Sequence, residues 1–143
     1  MTADQIVEKI VAFGHTNIQA IHPTTLMFTK EQHLTATGDC IIAVAADKAV
    51  ADLNPKFKEK LKSPTAKLTI LLEVGGLTQI IHAFGSAKLV LTHPTDTVIR
   101  KSDYVSDRTL AVNADKSSLD LPRELVEKLK NPKQKITITL ILS

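Results

Sequence analysis

What most constrains this chain is that it says nearly everything twice. Asp39-Cys40-Ile41-Ile42-Ala43-Val44-Ala45-Ala46-Asp47-Lys48 returns 68 positions later as Asp107-Arg108-Thr109-Leu110-Ala111-Val112-Asn113-Ala114-Asp115-Lys116. Upstream the offset is 71: Phe13-Gly14 matches Phe84-Gly85, His22-Pro23-Thr24 matches His93-Pro94-Thr95, and Lys30 matches Lys101. The first copy therefore has three extra residues in the loop 31–38. From Asp39 to Val74 roughly half the positions are identical to their partners. A repeat of this length decides the architecture before any single element does, and each half checks the reading of the other.

Element by element, the two halves give the same list. Residues 8–13 and 78–84 read as strands; Ile6, Ile10 and Val11 alone would suit a helix, but Thr78-Gln79-Ile80-Ile81 favours extension. Strands are expected at 18–22 and 88–93, then at 25–29 and 96–100 after an interruption at His-Pro-Thr. Proline cannot donate to a ladder and pushes the preceding histidine out of the helical region. The apolar runs 40–46 and 108–114 suit strands covered on both faces. Helices follow at 53–62 and 121–130, with Asp52 and Asp120 as caps and Pro55 and Pro122 in the first turn. Leu53, Phe57 and Leu61, like Leu121, Leu125 and Leu129, make one apolar stripe each. The last strands are 67–74 and 135–142.

Gly75-Gly76 between apolar runs is a two-residue hairpin turn. If a pseudo-twofold axis relates the copies, the last strand, 135–142, must also pair with the first, 8–13, leaving few open edges. The expected fold is mainly β, a β-rich α+β chain of about ten strands and two helices, internally duplicated as a sandwich or a closed barrel. It is expected to be a single domain, 1–143, built from two intertwined repeats, about 8–74 and 78–142.

Bulk properties narrow the function classes. At 143 residues, 43% apolar and 23% charged, this is the composition of an ordinary soluble globular protein. No apolar run approaches the ~20 residues of a membrane span, so no membrane association is expected. Met1-Thr2-Ala3-Asp4-Gln5 lacks the basic and apolar regions of a secretory signal. One cysteine, Cys40, permits no intrachain disulfide and fits a reducing cytoplasm. The net charge of +3 is spread over lysines interleaved with carboxylates, and aromatics are 3% of the chain, so nucleic acid is a disfavoured partner. An oligomer is compatible with the sequence.

The polar residues the unit repeats are His22/His93, Thr24/Thr95, Lys30/Lys101, Asp39/Asp107, Asp47/Asp115 and Lys48/Lys116. His22 and His93 read either as a pair of imidazoles, acid and base, or as rings that satisfy backbone groups freed by the proline; the second is favoured. No HxxxH or HxH spacing supports a metal, and no motif indicates a cofactor. Asp47-Lys48 and Asp115-Lys116 lie at strand ends, where ligands gather, but Asp there is also a turn former.

The second copy has gained two guanidinium groups: Arg100 replaces Thr29 and Arg108 replaces Cys40. Arg100-Lys101-Ser102-Asp103 is the most polar cluster of the chain, and Arg suits carboxylate or phosphate capture. The bland alternative is an internal network, Arg108 with Asp39 or Asp103. Cys40 reads as an inert core thiol. No nucleophile elbow, Walker loop or GxGxxG is present. The first reading is thus a protein that binds a small anionic or polar ligand between its repeats, through His22, His93, Asp47, Lys48, Asp115, Lys116, Arg100, Lys101, Ser102, Asp39, Asp107 and Arg108. The alternatives are an enzyme using the same groups, with Lys or His as base, and an RNA- or protein-interaction module using the basic helices.

Taken together, Gly14-His15-Thr16-Asn17-Ile18, His22-Pro23-Thr24-Thr25-Leu26, Gly38-Asp39-Cys40-Ile41-Ile42, Ala46-Asp47-Lys48, His93-Pro94-Thr95-Asp96, Ile99-Arg100-Lys101-Ser102-Asp103 and Asp107-Arg108-Thr109-Leu110 form a recognisable set. They resemble the mainly archaeal family called domain of unknown function 371, over essentially the whole chain. The resemblance implies a small cytoplasmic, mainly β protein and no particular activity, substrate or catalytic residue. Met27 stands where the family is associated with an acidic residue, so no role of that carboxylate carries over.

Overall fold

The computed structural model describes residues 5–35 and 37–143. Residues 1–4, part of the stretch read above for a secretory signal, lie outside it. Eight strands and two helices are formed among the described residues: β1 (Ile6–Phe13), β2 (Thr25–Thr29), β3 (Ile41–Ala43), α1 (Pro55–Leu61), β4 (Lys67–Val74), β5 (Leu77–Phe84), β6 (Asp96–Arg100), β7 (Thr109–Ala111), α2 (Arg123–Leu129) and β8 (Lys135–Leu142). They make two four-stranded sheets, ordered β1-β8-β4-β5 and β3-β2-β6-β7. The Gly75-Gly76 turn is a hairpin between β4 and β5, both glycines at positive φ as the tight turn requires. β8 pairs antiparallel with β1, Ile6 opposite Leu142, as expected, and its other side pairs with β4.

Two expectations are corrected. The segments 18–22 and 88–93 are not strands, so there are eight and not ten. Ala20 and Leu91 sit in the left-handed region at φ 51° and 58°, where an L-residue breaks a ladder. The amides beyond them turn to one carbonyl each: Ile21 and His22 to Asp39 O, Thr92 and His93 to Asp107 O. Nor do the ladders close into a barrel. The sheets meet at two corners through single bridges, Phe13 with Val44 and Phe84 with Val112.

The expected strands 40–46 and 108–114 shrink to three residues each, because Ala45 and Asn113 are also left-handed (φ 54° and 52°). Both pair parallel to their neighbours, β3 with β2 and β7 with β6. The helices begin two residues later than expected. Asn54 caps α1 through Lys56 N, whereas Asp52 and Asp120 close preceding 3-10 turns, Val50–Asp52 and Ser118–Asp120, by accepting from Ala49 N and Ser117 N.

The core is filled from both sheets and both helices. Period-two alternation sends Ile10, Ile136, Ile138, Leu140, Leu68, Ile70, Leu72 and Ile81 to one face of the first sheet, all buried. Leu26, Phe28 and Ile99 of the second sheet join them, as do Phe57 and Leu61 of α1 and Leu125 and Leu129 of α2. Each helix end is tied to a turn from the other half of the chain. Ser86 N donates to Leu61 O at the end of α1, and His15 N donates to Leu129 O at the end of α2. Among the described residues, no helix is long and apolar enough to cross a membrane.

Candidate functional site

The antiparallel β2–β6 ribbon pairs Thr25 with Arg100, Met27 with Val98 and Thr29 with Asp96. Directly opposed residues share a face, so these six side chains stand together, on the side away from Leu26, Phe28 and Ile99. The flanking parallel strands bring two more residues to the ribbon: Cys40 O accepts from Met27 N, and Arg108 O from Val98 N. The sequence thus assembles Asp96, Arg100 and Arg108 on one surface.

Asp96 and Arg108 form a satisfied pair. The Asp96 carboxylate, 13% exposed, accepts from Arg108 Nη1 at 3.2 Å, from Thr29 Oγ1 at 2.8 Å and from Thr95 Oγ1 at 3.2 Å. Arg100 differs. Its Nε donates to Thr109 Oγ1 at 3.0 Å and its Nη2 to Ser106 Oγ at 3.2 Å, and its guanidinium lies 4.9 Å from the Tyr104 ring centre. These partners are neutral, and Arg100 makes no ion pair among the described residues. Burial lowers its pKa, the Arg108 charge lowers it further, and Tyr104 and Cys40 oppose the shift. Arginine nevertheless stays protonated, so the guanidinium keeps its charge there. Beside it the Cys40 thiol is pushed up, first by burial and then by Asp39, against the pull of Arg108 and Arg100. That is a thiol held protonated, unlike a nucleophile.

The other expected residues are dispersed. His22 Nδ1 accepts from Thr24 N and Thr25 N, and His93 Nδ1 from Thr95 N and Asp96 N, which is the backbone-satisfying role. They do not meet. His22 precedes Thr25 and His93 precedes Asp96, so they lie at opposite ends of a ribbon about 14 Å long at ~3.4 Å per residue. His93 Nε2 lies 4.0 Å from Asp96 Oδ2, which places it at the edge of the arginine face.

Asp47 and Asp115 each fill the place of a neighbouring strand. Asp47 Oδ1 accepts from Val11 N on the β1 edge, and Asp115 Oδ1 from His82 N on the β5 edge. Lys48 pairs with Glu8 at 3.2 Å, while Lys116 reaches Gln79 Oε1 and Ile80 O. Lys101 pairs with Asp120 as Lys30 does with Asp52. Ser102 Oγ accepts from Tyr104 N. Asp39 and Asp107 act through their carbonyls, as described for the loops that Ala20 and Leu91 turn.

Sequence reasoning missed Asp96, which partners Arg108 in place of the expected Asp39 or Asp103. The signal was available: at the offset of 71, Asp96 stands where the earlier half of the sequence has Thr25, a third charge beside Arg100 and Arg108 that the matching positions lack. Thr109, Ser106 and Tyr104 gave no comparable signal. Beside Arg100 opens a cleft of about 430 Å³ bordered by Tyr104, Val105, Ser106, Asp107, Lys88 and Val90. It adjoins another of about 400 Å³ through Lys88 and Asp103. Among the described residues, no three His, Cys, Asp or Glu side chains gather as metal ligands.

Comparison with known proteins agrees with the phrases that suggested a family. An uncharacterised protein of Methanocaldococcus jannaschii, MJ0206, is 50% identical over 127 residues, covering 89% of this chain and 93% of that protein. The family model described as Domain of unknown function (DUF371) matches residues 10–143, nearly the whole chain, and to that family the chain belongs.

Proposed function

We propose that the protein binds a small anionic ligand, one bearing a phosphate or carboxylate, at the Arg100–Arg108 face of the β3-β2-β6-β7 sheet. The observation that carries this reading is Arg100 itself. It is a half-buried guanidinium with neutral partners and a second guanidinium nearby. Arg108 is paired with Asp96 and 43% exposed, so the uncompensated charge is that of Arg100, and a planar fork is the geometry that captures an oxyanion. The equivalent face of the first half carries Thr25, Thr29 and Cys40, with no charge, so the second half has built this feature by divergence.

We also read the chain as one domain of two intertwined repeats, about 8–74 and 78–142, in a cytoplasmic protein. The face is then their interface, since β2 comes from one repeat and β6 from the other. A nucleic-acid role has less behind it: Lys58 is turned back onto Ala51 O, and Glu59 stands among the α1 lysines.

A thermal-shift titration with phosphate, pyrophosphate and citrate at constant ionic strength tests the reading. A ligand at 100 times its Kd stabilises by ~2.7 kcal/mol, roughly 8 °C for a chain of this length. Arg100→Gln is expected to lose the shift. Equal shifts in that variant, or none in the wild type with any of the three anions, would sink the proposal.

A further inference from the structure

We infer that the ligand is a nucleoside phosphate, its phosphate on Arg100 and Arg108 and its base against Tyr104; this rests on the anion site just proposed and deepens it. The cleft beside the arginines is not an independent surface. Tyr104 and Ser106, which line it, are also the residues that Arg100 touches, through the ring at 4.9 Å and through a 3.2 Å hydrogen bond. An anion held by Arg100 therefore sits at the mouth of the cleft, and whatever the anion is attached to extends into it.

The walls say what that body is. Tyr104 is 62% exposed, the most exposed large hydrophobic side chain of the described residues, and Val90 beside it is 47% exposed. An exposed aromatic ring already stacked on a guanidinium is a platform for a flat heteroaromatic ring. The other border is acidic. Asp107 lines this cleft, Asp103 lines both clefts, and neither carboxylate has a hydrogen-bond or ion-pair partner among the described residues. Free carboxylates repel a second anion but accept from hydroxyls, which a sugar between phosphate and base supplies. At about 430 Å³ the cleft is within the range of small-molecule sites. The corner of the first half formed by Phe13, Gly14, Val44 and Ala45, which corresponds to the adjoining cleft of about 400 Å³ at Phe84, Gly85, Val112 and Asn113, holds only about 240 Å³, and that half lacks the arginines.

The chain has one tyrosine and no tryptophan, so Tyr104 is its sole strong fluorophore and reports on the cleft directly. Calorimetric titrations of the full chain with AMP, ribose 5-phosphate, adenosine and inorganic phosphate are paired with inner-filter-corrected tyrosine emission. AMP is expected to bind about tenfold tighter than ribose 5-phosphate, which is the worth of one stacked base, and to change the emission where phosphate does not. Tyr104→Ala removes the tenfold advantage of AMP over ribose 5-phosphate, a ratio in which any effect on Arg100 cancels; Tyr104→Phe keeps it. Equal affinity for all three phosphates, with Tyr104→Ala silent, overturns the nucleoside and leaves the anion site standing. Binding of adenosine as tight as that of AMP overturns the joint placement. No binding of inorganic phosphate or of any phosphate ester overturns both readings.

Discussion

Replacing Gly85 by alanine puts the coupling between the two halves to a direct test. A Cβ built on Gly85 meets Leu61 O at 2.1 Å and Ser63 O at 2.6 Å, both backbone atoms at the end of α1. Neither can rotate away as a side chain would. Ordinary contact lies beyond 3 Å, so strand and helix end must separate by about 1 Å. That separation weakens two hydrogen bonds, Gly85 N to Ala66 O at 2.9 Å and Ser86 N to Leu61 O at 3.1 Å. Each contributes about 1 kcal/mol net, and overpacking adds about 1–3 kcal/mol. Against this, alanine restricts the unfolded chain and returns about 0.4–1 kcal/mol. The expected loss is about 2–4 kcal/mol, a large part of a typical total of 5–15. Urea unfolding followed by far-UV circular dichroism measures it. Gly14→Ala should cost a similar amount, since its Cβ meets Leu129 O at 2.2 Å and Asn131 O at 2.4 Å. Gly38→Ala serves as a comparison, because its closest neighbours are side-chain ends, Leu34 Cδ1 at 2.8 Å and Ile41 Cδ1 at 3.1 Å, in place of backbone atoms. A Gly85→Ala loss below about 1 kcal/mol, within the scatter of a surface substitution, would mean that the helix ends yield freely and that the reasoning is wrong.

Three further outcomes follow from individual polar residues. Thr97 Oγ1 is buried with no hydrogen-bond partner among the described residues, so Thr97→Val should raise stability by about 1 kcal/mol; a lower urea midpoint would contradict this. Asp52 and Asp120 have pKa values lowered first by the amides of Ala49 and Ser117 and then by Lys30 and Lys101. A lowered carboxylate stabilises above its unfolded pKa, near 4, and that stability is lost as pH falls through the lower folded value. Asp52→Asn with Asp120→Asn should flatten the loss of thermal stability below pH ~4, and an unchanged acid limb would count against the assignment. Asp115→Ala leaves His82 N on the β5 edge without its acceptor, so about 1 kcal/mol of stability should go and light scattering at high protein concentration should rise.

The strands 25–29, 96–100, 67–74 and 135–142 were legible to the residue: alternation marks 67–74 and 135–142, the His-Pro-Thr interruption marks where 25–29 and 96–100 resume, and the repeat checks each against its partner. What was not legible shares one physical cause. Ala20, Ala45, Leu91 and Asn113 adopt a left-handed backbone that three of the four side chains do nothing to announce. Each ends or abolishes a strand that the apolar pattern supports. The caps were misplaced for a related reason: Asp52 and Asp120 do cap, but a short 3-10 turn that precedes the helix and has no period of its own. In the candidate site, Arg100 and Arg108 stood out by comparison between halves, and Asp96 would have stood out by the same comparison. The roles of Thr109, Ser106 and Tyr104 depend on how the loop 101–108 folds back over β6, which no local spacing encodes. The histidines were the converse case: a Pro after His was enough to foresee a ring bonded to the next amides.

Since β8 lies between β1 and β4, the first sheet has two seams that differ only in whether a peptide crosses them. One is the Gly75-Gly76 hairpin; the other is the gap between the strand that ends at Leu142 and the strand that begins at Ile6. A circular permutant joined across the second seam and opened at the first would keep every ladder and merely exchange the order of its halves. A half-length chain, by contrast, would leave the end of its helix unbonded, because that helix is closed by a turn it does not contain. Such a chain could restore those protein hydrogen bonds by exchanging turns with a second copy of itself, or leave the helix end to water.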